Sequence, residues 1–326
     1  MAHLGTDGYP ASRMMTSITA TTRAGSAALE LQAGELTAVV VPAVGMVVAS
    51  LQQAGTELLG QRGGLEAYRE RGSSFGVPLL YPWANRLSDL AYAVGDTMVR
   101  LDAATTPIKL DGNGLPIHGL LTASPLWEVG HATADEGGAE VMATLDFGEH
   151  PALLAGFPFP HAIALTHRLD ASGLQTTLTV MPTGDLPVPV AFGFHPYLAP
   201  GGDRTAWLID LPVTSHAVLD ERGLPTGATE PAPPGPRALE SAAYDDLYPT
   251  LEPEPEFAVE TGERHLEVSF GPTFPCAQVY APADADFVCF EPMTAPTNAL
   301  VTGDGLRLVD PGGSFTATFR IDILGA

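Results

Sequence analysis

His161-Ala162-Ile163-Ala164-Leu165-Thr166-His167-Arg168-Leu169 sets Ile163, Leu165 and Leu169 at even spacings of two and four residues along the chain, with Thr166 and Arg168 at the alternate positions. A period of two is the signature of an extended chain with one face buried and one wet. The turn residues Ala171-Ser172-Gly173 follow, and the alternation resumes over residues 174–181, so the stretch reads as an antiparallel hairpin. The same pattern, or a short apolar run, recurs at residues 36–41, 46–51, 139–147, 265–270 and 315–323. Gly137-Gly138, Gly201-Gly202-Asp203 and Pro311-Gly312-Gly313 separate these runs. Only residues 65–71 suggest a helix, of about two turns. The predicted fold class is therefore all-β, a large antiparallel β-sandwich.

Composition agrees with many short strands. Of 326 residues, 35 are Gly and 30 are Pro, 45% are hydrophobic and only 16% are charged, which leaves ample apolar material for a core. Two Pro-rich breaks, residues 231–236 and 252–256, are too short for inter-domain linkers and read as loops inserted in one continuous domain over residues 26–326. Residues 1–25 are polar and rich in Ala, Thr and Ser, and read as a flexible leader without the apolar centre of a signal peptide.

Fifteen Lys and Arg against 38 Asp and Glu give a net charge of −23 at pH 7. Such a surface repels phosphate backbones and anionic lipid heads, which argues against nucleic acid and membranes as partners and leaves small molecules. No stretch approaches the ~18 apolar residues of a membrane helix. Cys276 and Cys289 lack CxxC spacing and read as free thiols. A cytoplasmic protein, monomeric or homodimeric, is expected. Neither GxGxxG nor GxxxxGK[ST] is present, nor HExxH, nor GxSxG, so no cofactor and no metal site is expected and the chain's own side chains must do its chemistry.

Four short stretches couple an ionisable residue to rigid neighbours. In Tyr81-Pro82-Trp83-Ala84-Asn85-Arg86-Leu87 a guanidinium sits among apolar groups and needs acceptors, either ligand hydroxyls or an internal carboxylate. Leu115-Pro116-Ile117-His118-Gly119 and Phe192-Gly193-Phe194-His195-Pro196-Tyr197 each hold one histidine in an apolar run, where a satisfied core histidine is the alternative. Pro196 restricts His195 to extended geometry, a rigid mount. In Phe287-Val288-Cys289-Phe290-Glu291-Pro292 a carboxylate ends an apolar strand, where desolvation would raise its proton affinity toward that of a general base. A Glu pointing to solvent is the alternative.

Taken in order, Asn85-Arg86, His118-Gly119, His195-Pro196-Tyr197, Tyr244-Asp245 and Glu291-Pro292, with Thr294-Ala295-Pro296-Thr297-Asn298-Ala299 after the last, resemble the aldose 1-epimerase (galactose mutarotase) family from about residue 35 to the C-terminus. The chain departs from that pattern where Leu120, not a second glycine, follows Gly119, and in lacking an Asn shortly before His195. Both departures resemble bacterial side branches of the family. The resemblance implies a β-supersandwich and an enzyme that interconverts the α and β anomers of a free aldohexose. It implies Glu291 as base at the anomeric hydroxyl and His195 as acid at the ring oxygen. By the same resemblance His118, Arg86, Asn85 and Asp245 bind the sugar, Asp245 being preferred over Asp246 because it follows Tyr244. Trp83 or Tyr197 is expected to floor the site.

Three other readings share these residues. A hexose-phosphate epimerase of the same fold would need more than Arg86, although Arg62, Arg69 and Arg71 lie upstream. A glycoside hydrolase using Asp245 and Glu291 would leave both histidine motifs idle. A non-catalytic carbohydrate-binding protein would not need a paired acid and base.

Overall fold

The protein is represented by a computed structural model that describes residues 15–325. Among these residues are 28 strands and three short α-helices, with every strand pair antiparallel within the sheets. His161–Leu169 alternates buried and half-buried at every position and pairs with Gly173–Pro182 through Leu169 opposite Leu174, as its pattern requires. This hairpin lies inside a nine-stranded sheet whose order is Glu128–Asp135, Gly138–Asp146, His161–Leu169, Gly173–Pro182, Phe315–Gly325, Arg264–Phe270, Glu256–Glu260, Leu208–Leu211 and Gly235–Ala238.

A second sheet runs Tyr244–Tyr248, Cys276–Ala281, Val288–Met293, Gly193–Phe194 and Leu79–Leu80, with Tyr197–Leu198 also paired to Val288–Met293. Its inner face packs on the nine-stranded sheet. Phe194 meets Phe319 at 4.9 Å between ring centroids, and Phe290 meets Phe257 at 5.5 Å. The two sheets form the expected sandwich, its core filled by aromatic rings that bury large apolar areas. Because side chains alternate along a strand, burying Phe194 and Phe290 inward turns the next residues, His195 and Glu291, to the outer face of the same sheet. A third, five-stranded sheet is a simple meander from Thr16–Arg23 to Thr56–Glu57.

The leader expected over residues 1–25 is corrected within the described part. Thr16–Arg23 is a strand, paired residue for residue with Ser26–Ala33. Its polarity is that of a half-exposed strand rich in β-branched Thr and Ile, which favour extended geometry. Residues 1–14 lie outside the described residues. The helix expected at 65–71 is Gly64–Arg71, ended by Gly72 in the left-handed region. Cys276 and Cys289 are buried free thiols on neighbouring strands, opposite Met293 and Tyr280 respectively. Among the described residues no helix is long and apolar enough to cross a membrane.

Two buried histidines make the fold sensitive to acid. His161 donates from Nδ1 to the Phe159 carbonyl and accepts at Nε2 from the Tyr81 hydroxyl, 2.6 Å away. His167 donates from Nε2 to the Met46 carbonyl at 2.9 Å and accepts from the Thr176 hydroxyl. Burial pushes both down to about 4, so each stays neutral in the fold at pH values where the unfolded chain is protonated. Their contribution is fully present above pH ~6.5 and is lost as pH falls from there toward 4, because in that window the unfolded state binds more protons. Denaturant titration is expected to show about 2 kcal/mol lost per histidine between pH 7 and 5. Equal stability at the two pH values would refute this account.

Candidate active site

The centre of the outer face is a strand register. Gly193 pairs with Met293 and Tyr197 with Cys289, which places His195 opposite Glu291. The imidazole Nε2 and the carboxylate Oε1 stand 3.2 Å apart, on side chains only 7% and 2% exposed. On the far side of Glu291 the ladder continues to Gln278, and Gln278 Nε2 donates to Asp245 Oδ1 at 2.7 Å. Asp245 pairs with Tyr280 and so shares the face of Gln278 and Glu291, whereas Asp246 pairs with Val279, whose side chain belongs to the core. Register alone therefore separates the two aspartates.

Two loops close over this face. Asn85 (φ 52°) and His118 (φ 65°) both adopt the left-handed region, and the His118 N–H donates to the Asn85 carbonyl at 2.9 Å. Gly119 follows at φ 74°, its Cα pressed against the Tyr81 carbonyl so closely that a Cβ would lie 2.1 Å from the oxygen. These contacts set the His118 ring edge-on to that of His195, 5.6 Å between centroids. Arg86 donates from Nε to Asp111 Oδ2 at 2.8 Å and from Nη1 to Asn85 Oδ1 at 3.1 Å. Gly223 leaves room for that guanidinium, since a Cβ there would sit 3.0 Å from Nη1.

All six expected site residues, Asn85, Arg86, His118, His195, Asp245 and Glu291, line one open cavity of about 400 Å³, a volume within the range of small-molecule sites. Tyr197 and Tyr280 also line it. Trp83 does not line it and belongs to the core, so of the two residues expected at the floor it is Tyr197 that reaches the cavity, with Tyr280 beside it. The Tyr197 ring stacks on His195 at 4.4 Å, and its hydroxyl is 3.3 Å from His195 Nε2. Sequence reasoning missed Lys109, Gln278, Tyr280, Ser73 and Ser74, which also line the cavity. Lys109 carried one signal, being the only lysine in the chain. Arg62 and Arg71, noted upstream, reach the cavity. Arg69 instead donates to the Ala24 carbonyl and the Ser26 hydroxyl.

Burial and charge set the protonation of the site. Burial, with Lys109 and Arg86 nearby, pushes His118 down to about 3, so it is neutral at pH 7. Burial holds His195 well below the usual histidine range, aided by His118 and Arg62. Burial, then the Asp245 charge, raises Glu291 well above the usual carboxylate range. A buried carboxyl that keeps a proton and a buried imidazole that gives one up, in contact, hold one proton between them. His118 Nδ1, His195 Nδ1 and Gln278 Oε1 are buried without a hydrogen-bond partner. Such atoms suit a ligand bearing several hydroxyls.

Residues 27–322 match the family model described as aldose 1-epimerase. Comparison with curated proteins returns no match. The fold superposes on a galactose mutarotase-like protein from Clostridium acetobutylicum with TM-score 0.85 and 20% identity, covering 95% of this chain and 99% of that one. It is similar to galactose 1-epimerase from Lactobacillus acidophilus (TM-score 0.75, 16% identity, 96% and 99% covered). It is also similar to an aldose epimerase homologue from C. elegans (TM-score 0.70, 14% identity, 96% and 100% covered). At these identities the superpositions speak for the fold alone.

Proposed function

Because the chain belongs to the aldose 1-epimerase family, we propose that it is a mutarotase acting on an aldohexose, with Glu291 and His195 as its proton-transfer pair. The observation that carries this reading is a buried carboxylate and a buried imidazole 3.2 Å apart on one face of a sugar-sized cavity. The anomeric hydroxyl and the ring oxygen are bonded to the same carbon, and a contacting pair can straddle them. In the form of the pair that places its one shared proton on His195, Glu291 takes the proton of the anomeric hydroxyl while His195 gives its proton to the ring oxygen. The bond from C1 to the ring oxygen breaks and the aldehyde forms. After rotation about C1–C2, the ring hydroxyl attacks the other face, His195 recovers its proton, and Glu291 returns one to the new anomeric oxygen. The pair that gained a proton on one side and lost one on the other is thereby restored.

Arg86, Asn85, His118 and Asp245 would hold the remaining hydroxyls, with Tyr197 and Tyr280 against the apolar face of the ring. No step calls for a redox group or a Lewis acid, so activity is expected to survive exhaustive chelation. Loss on chelation, reversed by one particular ion, would contradict the scheme. The direct test is polarimetry on freshly dissolved α-glucose and α-galactose, with and without protein. The optical rotation should decay well above the spontaneous rate with at least one sugar. Folded protein that accelerates neither those sugars nor their charged derivatives would end the mutarotase reading.

A further inference from the structure

The chain carries 38 acidic residues against 15 basic ones, yet four of the basic ones, including its only lysine, line this one cavity: Arg62, Arg71, Arg86 and Lys109. Arg86 is matched by Asp111, but Arg62 and Lys109 are not matched by any carboxylate among the described residues. Their heads rest on backbone carbonyls instead. Lys109 Nζ donates to the Gly72 carbonyl at 2.8 Å, and Arg62 Nη1 donates to the Ser74 carbonyl at 3.1 Å. One short loop, residues 72–74, thus holds two cations side by side, with Arg71 at its start and the Ser73 and Ser74 side chains beside them. Arg71 has only its exposed neighbour Glu70 at 3.9 Å. The mutual repulsion is felt at Lys109, which burial and the Arg62 charge together lower. Holding Arg62 and Lys109 close together with no carboxylate in contact with either opposes folding, and a bound anion relieves it.

Position within the cavity selects where the anion sits on the sugar. Arg62 Nη1 donates to the Tyr197 hydroxyl at 3.0 Å, and that hydroxyl is 3.3 Å from His195 Nε2. If His195 serves the ring oxygen, the carbon bonded to that oxygen on the side away from C1 is C5, and its substituent is C6. In that binding mode C6 lies on the side of the ring oxygen away from Glu291, and Arg62, linked to His195 through the Tyr197 hydroxyl, is a cation within reach of its substituent.

We propose that the sugar carries an oxyanion on C6, a phosphate ester or a carboxylate, held by Arg62 and Lys109 with Arg71 at the rim. This rests on the mutarotase reading and narrows its substrate class. The sequence counted only Arg86 inside the motifs, and the three further cations entered the site through the fold.

Anomer exchange by NMR, at fixed ionic strength and with glucose, glucose 6-phosphate and glucuronate as the three probes, tests it. At least one of the anionic sugars is expected to show kcat/KM about tenfold or more above glucose, the worth of one charge-assisted contact. A preference confined to glucose 6-phosphate identifies the phosphate ester, and one confined to glucuronate the carboxylate. Lys109→Gln and Arg62→Gln should each lower the anionic-to-neutral ratio about tenfold, with exchange of glucose itself reporting that the variant is folded. Inorganic phosphate should compete with the favoured sugar in the parent protein, and more weakly in Lys109→Gln. Glucose turned over as well as or better than both anionic sugars would overturn the proposal and leave the mutarotase reading standing. Turnover of none of the three would overturn the proposal, and turnover of none of the three nor of galactose would remove the mutarotase reading as well.

Discussion

Glu291→Gln is expected to slow catalysed mutarotation by about two to four orders of magnitude, the usual worth of one general acid or base. The amide keeps the shape of the carboxylate and its place opposite His195, but it cannot take the anomeric proton. His195→Asn should cost a similar factor by removing the partner at the ring oxygen. The double variant should lose far less than the product of the two, because each member of the pair works only through the other. Sugar affinity should change much less than rate, since Arg86, Asn85 and Asp245 remain in place. The measurements are decay of optical rotation from a pure anomer and, separately, equilibrium binding of the sugar. Near-full activity in folded Glu291→Gln would remove Glu291 as the base. The reading would then retreat to a sugar-binding β-sandwich.

Gly119→Ala should be the most damaging small substitution near the site. An added methyl would lie 2.1 Å from the Tyr81 oxygen and 2.3 Å from its carbon, both backbone atoms with no freedom to yield. The left-handed conformation adds about 1–2 kcal/mol for any residue with a Cβ. A loss of about 3 kcal/mol in stability is expected, with the His118 loop displaced and the catalysed rate reduced. Gly55→Ala is the control, because Gly55 has φ 81° but nothing within 4 Å of the added atom, so it should lose only the conformational part. Urea midpoints read both variants. Equal losses at the two sites would show that contact with the Tyr81 backbone matters little.

The strands were legible in the sequence because a two-residue period survives wherever one face is buried, as in His161–Leu169. Polar edge strands are not legible in that way. Thr16–Arg23 buries none of its residues fully, so its pattern carries no alternation and its composition matches a loose tail. The site residues were legible through their ordered short motifs, while their convergence was not, since it depends on which strands become neighbours. Aromatic residues in the motifs were ambiguous for a related reason. Trp83 and Tyr197 both sit beside charged site residues in sequence, but one turns into the core and the other into the cavity. Lys109 lies in no motif, and its two-residue strand Lys109–Leu110 is too short to show a pattern. It reaches the cavity through a hydrogen bond to a loop nearly forty residues earlier in the chain.

The pairing of Gly193–Phe194 and Tyr197–Leu198 with Val288–Met293 joins segments about a hundred residues apart in sequence, and closing so long a loop is costly in entropy before any contact rewards it. On dilution from denaturant, local hairpins such as His161–Leu169 with Gly173–Pro182 should form long before this long-range pairing. Recovered activity should therefore lag behind recovered circular dichroism. During the lag the outer edges of the central strands are unpaired and open to other chains, so the yield of active protein should fall as its concentration during refolding is raised.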